Sequence, residues 1–296
     1  MPIVNEFEYF KPKTLDEALI ALSKHKCLTR ILAGGTDLIV RMKDNMDAPE
    51  AVIDIKGIPE LKKLETTGSS VVIGSAVTCT ELLESETVKI KLPAFWESLK
   101  TVACVGIRNR ATVTGNICSA VPSADTATPL LAYGATIHLK GPGGEKTVPI
   151  SEWFLGPKQT AICRGEIVTT IKIPLPEKKH GGIYVKLKRY EGEDLAQAGV
   201  TILVFADNTY RVAFCALCPA PKRAPKIEKL LNGNKLTDAL IKKACALVDS
   251  EVCAITDIRS SKEYRHHMAK VMLERGLKAA VERLAGKGPA LGHSII

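Results

Sequence analysis

The stretch Ile31-Leu32-Ala33-Gly34-Gly35-Thr36-Asp37-Leu38 constrains this chain more than any other. An apolar run stops at two adjacent glycines, and apolar spacing resumes at helical intervals after a threonine and an aspartate. The pattern predicts strand, tight turn and helix start. Neighbouring glycines let a backbone approach a bulky ligand closely, and the free N–H groups of a turn and of a first helical turn suit a phosphate. The same residues also fit a plain turn in which Thr36 or Asp37 caps the helix. Read alone, the motif leaves both open.

Around it the chain alternates strand and helix. Thr14-Leu15-Asp16-Glu17 reads as a capping box opening a helix over about residues 15–23. Residues 30–32 form a strand into the glycine turn, 38–42 a short helix, and 51–55 a strand closed by Gly57 and Pro59. This predicts a small α/β unit. A second unit starts with a strand at 71–74, with helices over 80–83 and 93–102. Residues 106–117 have turn chemistry without clear periodicity, which predicts a loop of the kind that carries function. Strands at 136–139 and 146–149 flank Gly141-Pro142-Gly143-Gly144, a hairpin turn lacking the Gly-Lys-Ser/Thr ending of a phosphate loop. Residues 166–174 alternate cleanly and stop at Pro174.

The polar, turn-rich segment 176–182 marks a domain boundary. Beyond it, strands are expected at 183–188, 198–205 and 210–217, the last two joined at Asp207-Asn208, and then helices at 227–231, 236–248 and 261–284. Strands first and helices afterwards indicate helices on one face of an antiparallel sheet, so the fold class is α+β. The expected division is residues 1–175, with parts at about 1–57 and 58–175, followed by a smaller domain over 183–290.

Composition narrows the function. With 46% hydrophobic and 25% charged residues over 296 positions, the chain is an ordinary globular one with ample core. The formal charge of +9 comes from cations spread over glutamate-rich helices, with no basic tract and 5% aromatics, so solvated helix faces explain it better than nucleic acid. The amino terminus lacks the pattern of a secretory signal, and no apolar run approaches the roughly 20 residues of a spanning helix, which predicts a cytoplasmic protein. Nine cysteines, at 27, 79, 104, 118, 163, 215, 218, 245 and 253, form no compact framework and read as reduced thiols.

Residues for hydrolysis are not apparent. The six histidines, at 25, 138, 180, 266, 267 and 293, show no metal-ligand spacing. His266-His267 sits in an expected helix, where adjacent side chains point about 100° apart, and reads as a solvated face. Cys215-Ala216-Leu217-Cys218 in a continuous strand would put its thiols on opposite faces. What remains is glycine turns and small residues in an apolar setting, the equipment for holding a cofactor that performs the chemistry itself.

Two motifs then combine. Ala33-Gly34-Gly35-Thr36-Asp37-Leu38, followed by Ile107-Arg108-Asn109-Arg110-Ala111-Thr112-Val113-Thr114-Gly115-Asn116-Ile117 and Pro122-Ser123-Ala124-Asp125, resembles the FAD-binding medium subunit of the molybdenum hydroxylases, the xanthine, carbon monoxide and nicotinate dehydrogenase family. The resemblance extends over nearly the whole chain. It implies a two-part FAD-binding domain of the vanillyl-alcohol-oxidase type and a smaller carboxy-terminal domain that covers the flavin.

In the family two loops grip the pyrophosphate. Here they correspond to Leu32, Ala33, Gly34, Gly35, Thr36, Asp37 and Leu38 on one side, and Ala111, Thr112, Thr114, Gly115 and Asn116 on the other. Asp125 matches a carboxylate that bonds cofactor hydroxyls, or else caps a helix starting near Thr126. Val168 matches an apolar cofactor contact, Lys186 a lysine near the flavin, and Val102 a position that is aromatic in some relatives. The family commonly has two glycines before the asparagine, whereas this chain has Thr114, which disfavours positive φ.

The resemblance further implies FAD as the only cofactor and no catalytic acid, base or metal in this chain. Its partners would be a molybdopterin-binding large subunit, a [2Fe-2S] small subunit and an external acceptor (NAD, ferredoxin, a quinone or oxygen). The alternative is a self-sufficient FAD-dependent oxidase or dehydrogenase of the same fold.

Overall fold

The computed structural model describes residues 2–24, 28–190 and 192–296; Met1, His25 and Cys27 lie outside them. The first unit is a three-stranded parallel sheet in which Ala51–Asp54 lies between Glu8–Phe10 and Thr29–Leu32. Parallel neighbours need crossovers, and helices Leu15–Lys24 and Leu38–Lys43 supply them. The first helix starts as its sequence predicts: the Glu17 N–H donates to Thr14 Oγ1 (3.2 Å), while the Glu17 carboxylate accepts from Lys13 N–H (2.7 Å), one residue earlier than a full capping box. Ala18, Ile53, Ile55 and Ile58 pack with Ala76 and Ile167, so this small unit closes its core on the next one.

That second unit is a five-stranded sheet centred on Ile167–Pro174. This strand pairs antiparallel with Ser70–Gly74 on one side and Thr136–Gly141 on the other, with a register shift between Val168 and Thr170. Helices Cys79–Glu84, Pro93–Lys100 and Ala127–Tyr133 cover it, around the buried Phe95, Tyr133 and Trp153. The Gly141–Gly144 hairpin forms as expected.

Several features depart from the sequence reading: the strand expected at 183–188 already begins at His180, and the one expected over 210–217 ends at Cys215. Residues 106–117 are mostly helical: Val105–Arg108 and Val113–Ser119 are short helices. Glycine, threonine and asparagine hide the periodicity, and what holds the second helix is tertiary burial of Val113 and Ile117 rather than propensity. An unanticipated helix, Glu86–Lys91, begins at Ser85, whose hydroxyl accepts from Val88 N–H.

The carboxy-terminal sheet is antiparallel, in the order His180–Leu187, Ala198–Phe205, Tyr210–Cys215, Lys222–Arg223. Its two faces have different partners. Ile183, Val185, Val200, Ile202, Val212 and Phe214 pack with helices Pro225–Leu231, Asp238–Glu251 and Lys262–Leu284, whereas Leu203, Phe205 and Ala213 pack with Phe95 and Tyr133 of the second unit. Every residue of Ala198–Phe205 is buried, which is why that run shows no alternation. The chain's own carboxy-terminal helices lie on one face, as expected, and the neighbouring unit fills the other.

Glu97 and Arg283 pin this arrangement. One Glu97 oxygen accepts from Arg283 Nη2 (2.7 Å) and Gly292 N–H (2.8 Å), and the other from Tyr184 N–H (3.0 Å), while Arg283 Nη1 donates to the Gly182 carbonyl (2.7 Å).

His180 sits at the same seam, stacked on Phe205 at 5.6 Å and 3.2 Å from the Tyr133 hydroxyl. Burial, with the Arg211 guanidinium, pushes its imidazole down from 6.5 to about 4. The native state therefore resists a proton that the unfolded chain accepts, so stability is complete above pH 6.5 and falls as the pH drops through that window. The expected loss is on the order of 2 to 3 kcal/mol, read as a fall in urea midpoint between pH 7 and pH 4. His180→Gln is expected to flatten that segment of the profile.

Candidate functional site

The strand Thr29–Leu32 delivers the glycine turn to the second unit. Gly35 has φ +77°, and a Cβ there would meet Leu32 Cδ1 at 2.8 Å. Gly34 touches the other loop backbone to backbone: a Cβ would lie 2.2 Å from the Arg110 carbonyl oxygen and 2.8 Å from Ala111 Cα. The two loops that the sequence singles out are thus in direct contact, and only a residue without a side chain fits between them.

Side chains reinforce that contact. Asp37 stands at the start of helix Leu38–Lys43 but makes no capping bond. It accepts instead from the Ser119 hydroxyl (2.6 Å), at the far end of the helix that carries Thr114, Gly115 and Asn116. Thr112 caps that helix, its hydroxyl accepting from Gly115 N–H (2.9 Å), and the Ala111 carbonyl accepts from Cys79 N–H (2.8 Å). Asn116 accepts from the Thr126 hydroxyl (2.6 Å), next to Asp125.

Thr114 lies in the first turn of a right-handed helix, a backbone that any β-branched residue adopts. Its departure from glycine therefore costs no strain. Its hydroxyl is buried and has no hydrogen-bond partner in the protein. A buried unpaired hydroxyl costs about 1 to 3 kcal/mol, so this atom needs a polar acceptor or donor from outside the chain.

Asp125 is not a helix cap; Thr126 occupies that position. The Asp125 carboxylate is buried and accepts from the Tyr184 hydroxyl (2.6 Å) and Lys186 Nζ (2.9 Å). Burial pushes its carboxyl up from the usual range, and Lys186 and Tyr184 pull the other way. Burial, with Asp125 beside it, drives the Tyr184 hydroxyl well above its ordinary value, which keeps it a donor. Lys186 also donates to the Thr101 carbonyl (3.0 Å), so it is a cation paired on two sides.

Val102 follows Thr101 directly and is buried. Arg108 Nη1 holds the carbonyls of Val102 (2.8 Å) and Ala103 (2.9 Å), with Ala103 at φ 38°. Val168 sits at the register shift of the central strand, in one apolar cluster with Ala111 and Val113, and its carbonyl accepts from the Ser75 hydroxyl. The fold thus joins the two loops, and joins the second of them to the Asp125 group.

Sequence reasoning missed Tyr184, Arg108, Ser119 and Thr126. Tyr184 was within reach, because it lies two residues from Lys186 in a strand and so shares its face. Among the described residues no three His, Cys, Asp or Glu side chains converge as a metal site, and no helix is long and apolar enough to cross a membrane. Two cavities of about 320 and 550 Å³ border residues 174–177 and include none of these side chains.

Residues 5–176 match the family described as the FAD binding domain in molybdopterin dehydrogenase, and residues 183–280 the carbon monoxide dehydrogenase flavoprotein C-terminal domain. The chain belongs to the FAD-binding medium-subunit family of the molybdopterin dehydrogenases. It is 33% identical to the carbon monoxide dehydrogenase medium chain of Afipia carboxidovorans, covering 95% of this chain and 99% of that one. To the xanthine dehydrogenase FAD-binding subunit of Escherichia coli O157:H7 it is 30% identical, over 94% and 97%. The solved carbon monoxide dehydrogenase from Hydrogenophaga pseudoflava superposes with a TM-score of 0.91 at 33% identity, covering 96% of this chain and 99% of that one.

As a member of this family the chain is an FAD-dependent oxidoreductase subunit, and the residues present fit the cofactor. Gly34 and Gly35 leave space that a Cβ would fill, and Thr114 presents an unsatisfied hydroxyl.

Two expectations follow for this FAD subunit. Gly34→Ala and Gly35→Val force the loops apart or strain the turn, and are expected to weaken FAD retention about tenfold or more, read as flavin absorbance per chain after gel filtration. Thr114→Val should split two measurements: FAD affinity falls by about 0.5 to 1.5 kcal/mol, while the stability of the flavin-free chain is unchanged or rises, because an unpaired buried hydroxyl has been removed. Equal FAD affinity in that variant would return the hydroxyl to the status of an unused group.

Proposed function

We propose that this subunit works in the cytoplasm as the FAD-carrying electron-transfer station of a molybdenum-containing hydroxylase or dehydrogenase. Electrons arrive from [2Fe-2S] clusters on a small subunit, after substrate hydroxylation on a molybdopterin-binding large subunit, and leave to NAD, ferredoxin, a quinone or oxygen. The observation that carries this reading is the end-to-end match to a carbon monoxide dehydrogenase medium chain. Bound FAD can exchange one or two electrons and so connects single-electron clusters to a two-electron acceptor.

On this reading the chain's residues bind and position. The backbone of residues 32–38 and 111–116 receives the pyrophosphate, with Thr114 donating its hydroxyl. Asp125 keeps lone pairs beyond those used by Tyr184 and Lys186 and offers them to cofactor hydroxyls. Val102 and Val168 supply apolar contact. Lys186, already paired with Asp125, tunes the flavin as half of an ion pair, a weaker effect than that of an isolated cation. Residues 1–175 hold the cofactor and 183–290 cover it.

The test is purification of the complex from its native host. Two further chains, with molybdenum and iron, are expected to accompany the flavin, and substrate is expected to bleach the flavin only when all three chains are present. Turnover of a small alcohol or aldehyde by the isolated FAD-loaded chain would instead favour a self-sufficient oxidase or dehydrogenase.

A further inference from the structure

The cysteines at 218 and 253 in the carboxy-terminal domain are not used by the cofactor site. The strand Tyr210–Cys215 ends before the second cysteine of the Cys215-x-x-Cys218 spacing, because Ala216 turns through φ 60°. The opposite-faces arrangement expected of a continuous strand therefore does not apply, and the two cysteines part company. Cys215 packs beside the Tyr184 hydroxyl (3.8 Å). Cys218 turns toward the segment leaving helix Asp238–Glu251, where its thiol donates to the Glu251 carbonyl (3.7 Å), two residues before Cys253.

The backbone brings the two cysteines side by side. The Cys253 N–H donates to the Leu217 carbonyl (2.9 Å), and Leu217, Val252 and Ala254 are buried on either side. Arg265 bonds the Ala216 carbonyl (3.1 Å) and Asp257 (2.6 Å), bracing the two segments against each other. The pair is also asymmetric: Cys253 is exposed, Cys218 is buried, and burial pushes the Cys218 thiol up to about 11. One thiol meets solvent, and the other is buried in the neighbouring segment and kept in its protonated form. That is the layout of an attacking thiol with a resolving partner.

We propose that Cys218 and Cys253 are a reversible redox pair that closes to a disulfide on exposure to a hydroperoxide. The Cys253 thiolate attacks the O–O bond, an S–O bond forms, and hydroxide leaves to become water on taking up a proton. The Cys218 sulfur then attacks the Cys253 sulfur. The S–S bond forms, the S–O bond breaks, and the departing hydroxide takes the Cys218 proton as a second water. With hydrogen peroxide, two thiols lose two electrons and two protons and the peroxide becomes two waters; a dithiol restores the pair by thiol–disulfide exchange and is itself oxidised to a disulfide. The Ala216 N–H donates to the Pro122 carbonyl (2.6 Å), so the crosslink lies close to the loop that carries Asp125. Transient disulfides of this kind are the form in which intracellular proteins use them.

The FAD-loaded full chain is treated with hydrogen peroxide, alkylated, unfolded and mapped by mass spectrometry without reductant. A Cys218–Cys253 linked peptide that dithiothreitol removes is expected in most chains. Cys163, which packs against Lys146 and the Ala161 carbonyl, is expected to stop at a dimedone-reactive sulfenic acid in the same sample. Cys253→Ser changes an exposed position and should fold normally; it is expected to lose the linked peptide and to leave Cys218 alkylated only after unfolding. Wild-type chains in which Cys253 carries a sulfenic or sulfinic acid while Cys218 remains a thiol would overturn the proposal. So would Cys253 bonded to a different cysteine, or untouched.

Discussion

The buried ion pair between Lys186 and Asp125 is the constraint on which the rest of this structure depends. The Lys186 side chain is 3% exposed and that of Asp125 11%. Removing two charges from water costs several kcal/mol per ion, and their attraction offsets this only when the remaining donors and acceptors are also met. Here the chain meets part of that demand: Lys186 has the Thr101 carbonyl as a second acceptor, and Asp125 has the Tyr184 hydroxyl as a second donor. The pair therefore fixes three segments at once, the end of helix Pro93–Lys100, the Asp125 loop and the strand His180–Leu187. A second buried pair, Glu97 with Arg283, ties the same helix and strand to the carboxy-terminal tail. Two such nodes on one seam fix the carboxy-terminal sheet against the second unit.

The glycine turn works by a different means. It contributes no charge and little apolar area; it contributes closeness. Because Gly34 lacks a side chain, the first loop rests on the backbone of Arg110 and Ala111, and Asp37 can reach Ser119. An anion held between the loops would meet backbone donors from both. The polar atom that this arrangement leaves unsatisfied, the Thr114 hydroxyl, lies in the second loop.

Much of the fold was legible because its elements obey local rules. Strand Ile167–Pro174 alternates and stops at proline; helix Leu15–Lys24 announces itself by Thr14 and Glu17; the Gly141–Gly144 hairpin has the residues its turn requires. The helix Val113–Ser119 was not legible, since seven residues that include a threonine, a glycine and an asparagine gain their helicity from burial of Val113, Thr114 and Ile117. The end of the strand at Cys215 was hidden for a related reason: Ala216 has no preference for positive φ, and its conformation is held by the Pro122 and Arg265 contacts around it.

The sequence by itself determined the order and type of most elements, the α+β class and, through two spaced motifs, the FAD-binding family. Those properties reside in local periodicity, in turn chemistry and in residues close enough along the chain to be read together. Only the tertiary structure decided which polar groups meet: Asp37 with Ser119 across 82 residues, Lys186 with Asp125 across 61, Arg283 with Glu97 across 186. Nothing in the spacing of either partner encodes such a pairing. It arises because the central strand, the shared face of the carboxy-terminal sheet and a glycine without a side chain bring distant segments within hydrogen-bonding reach.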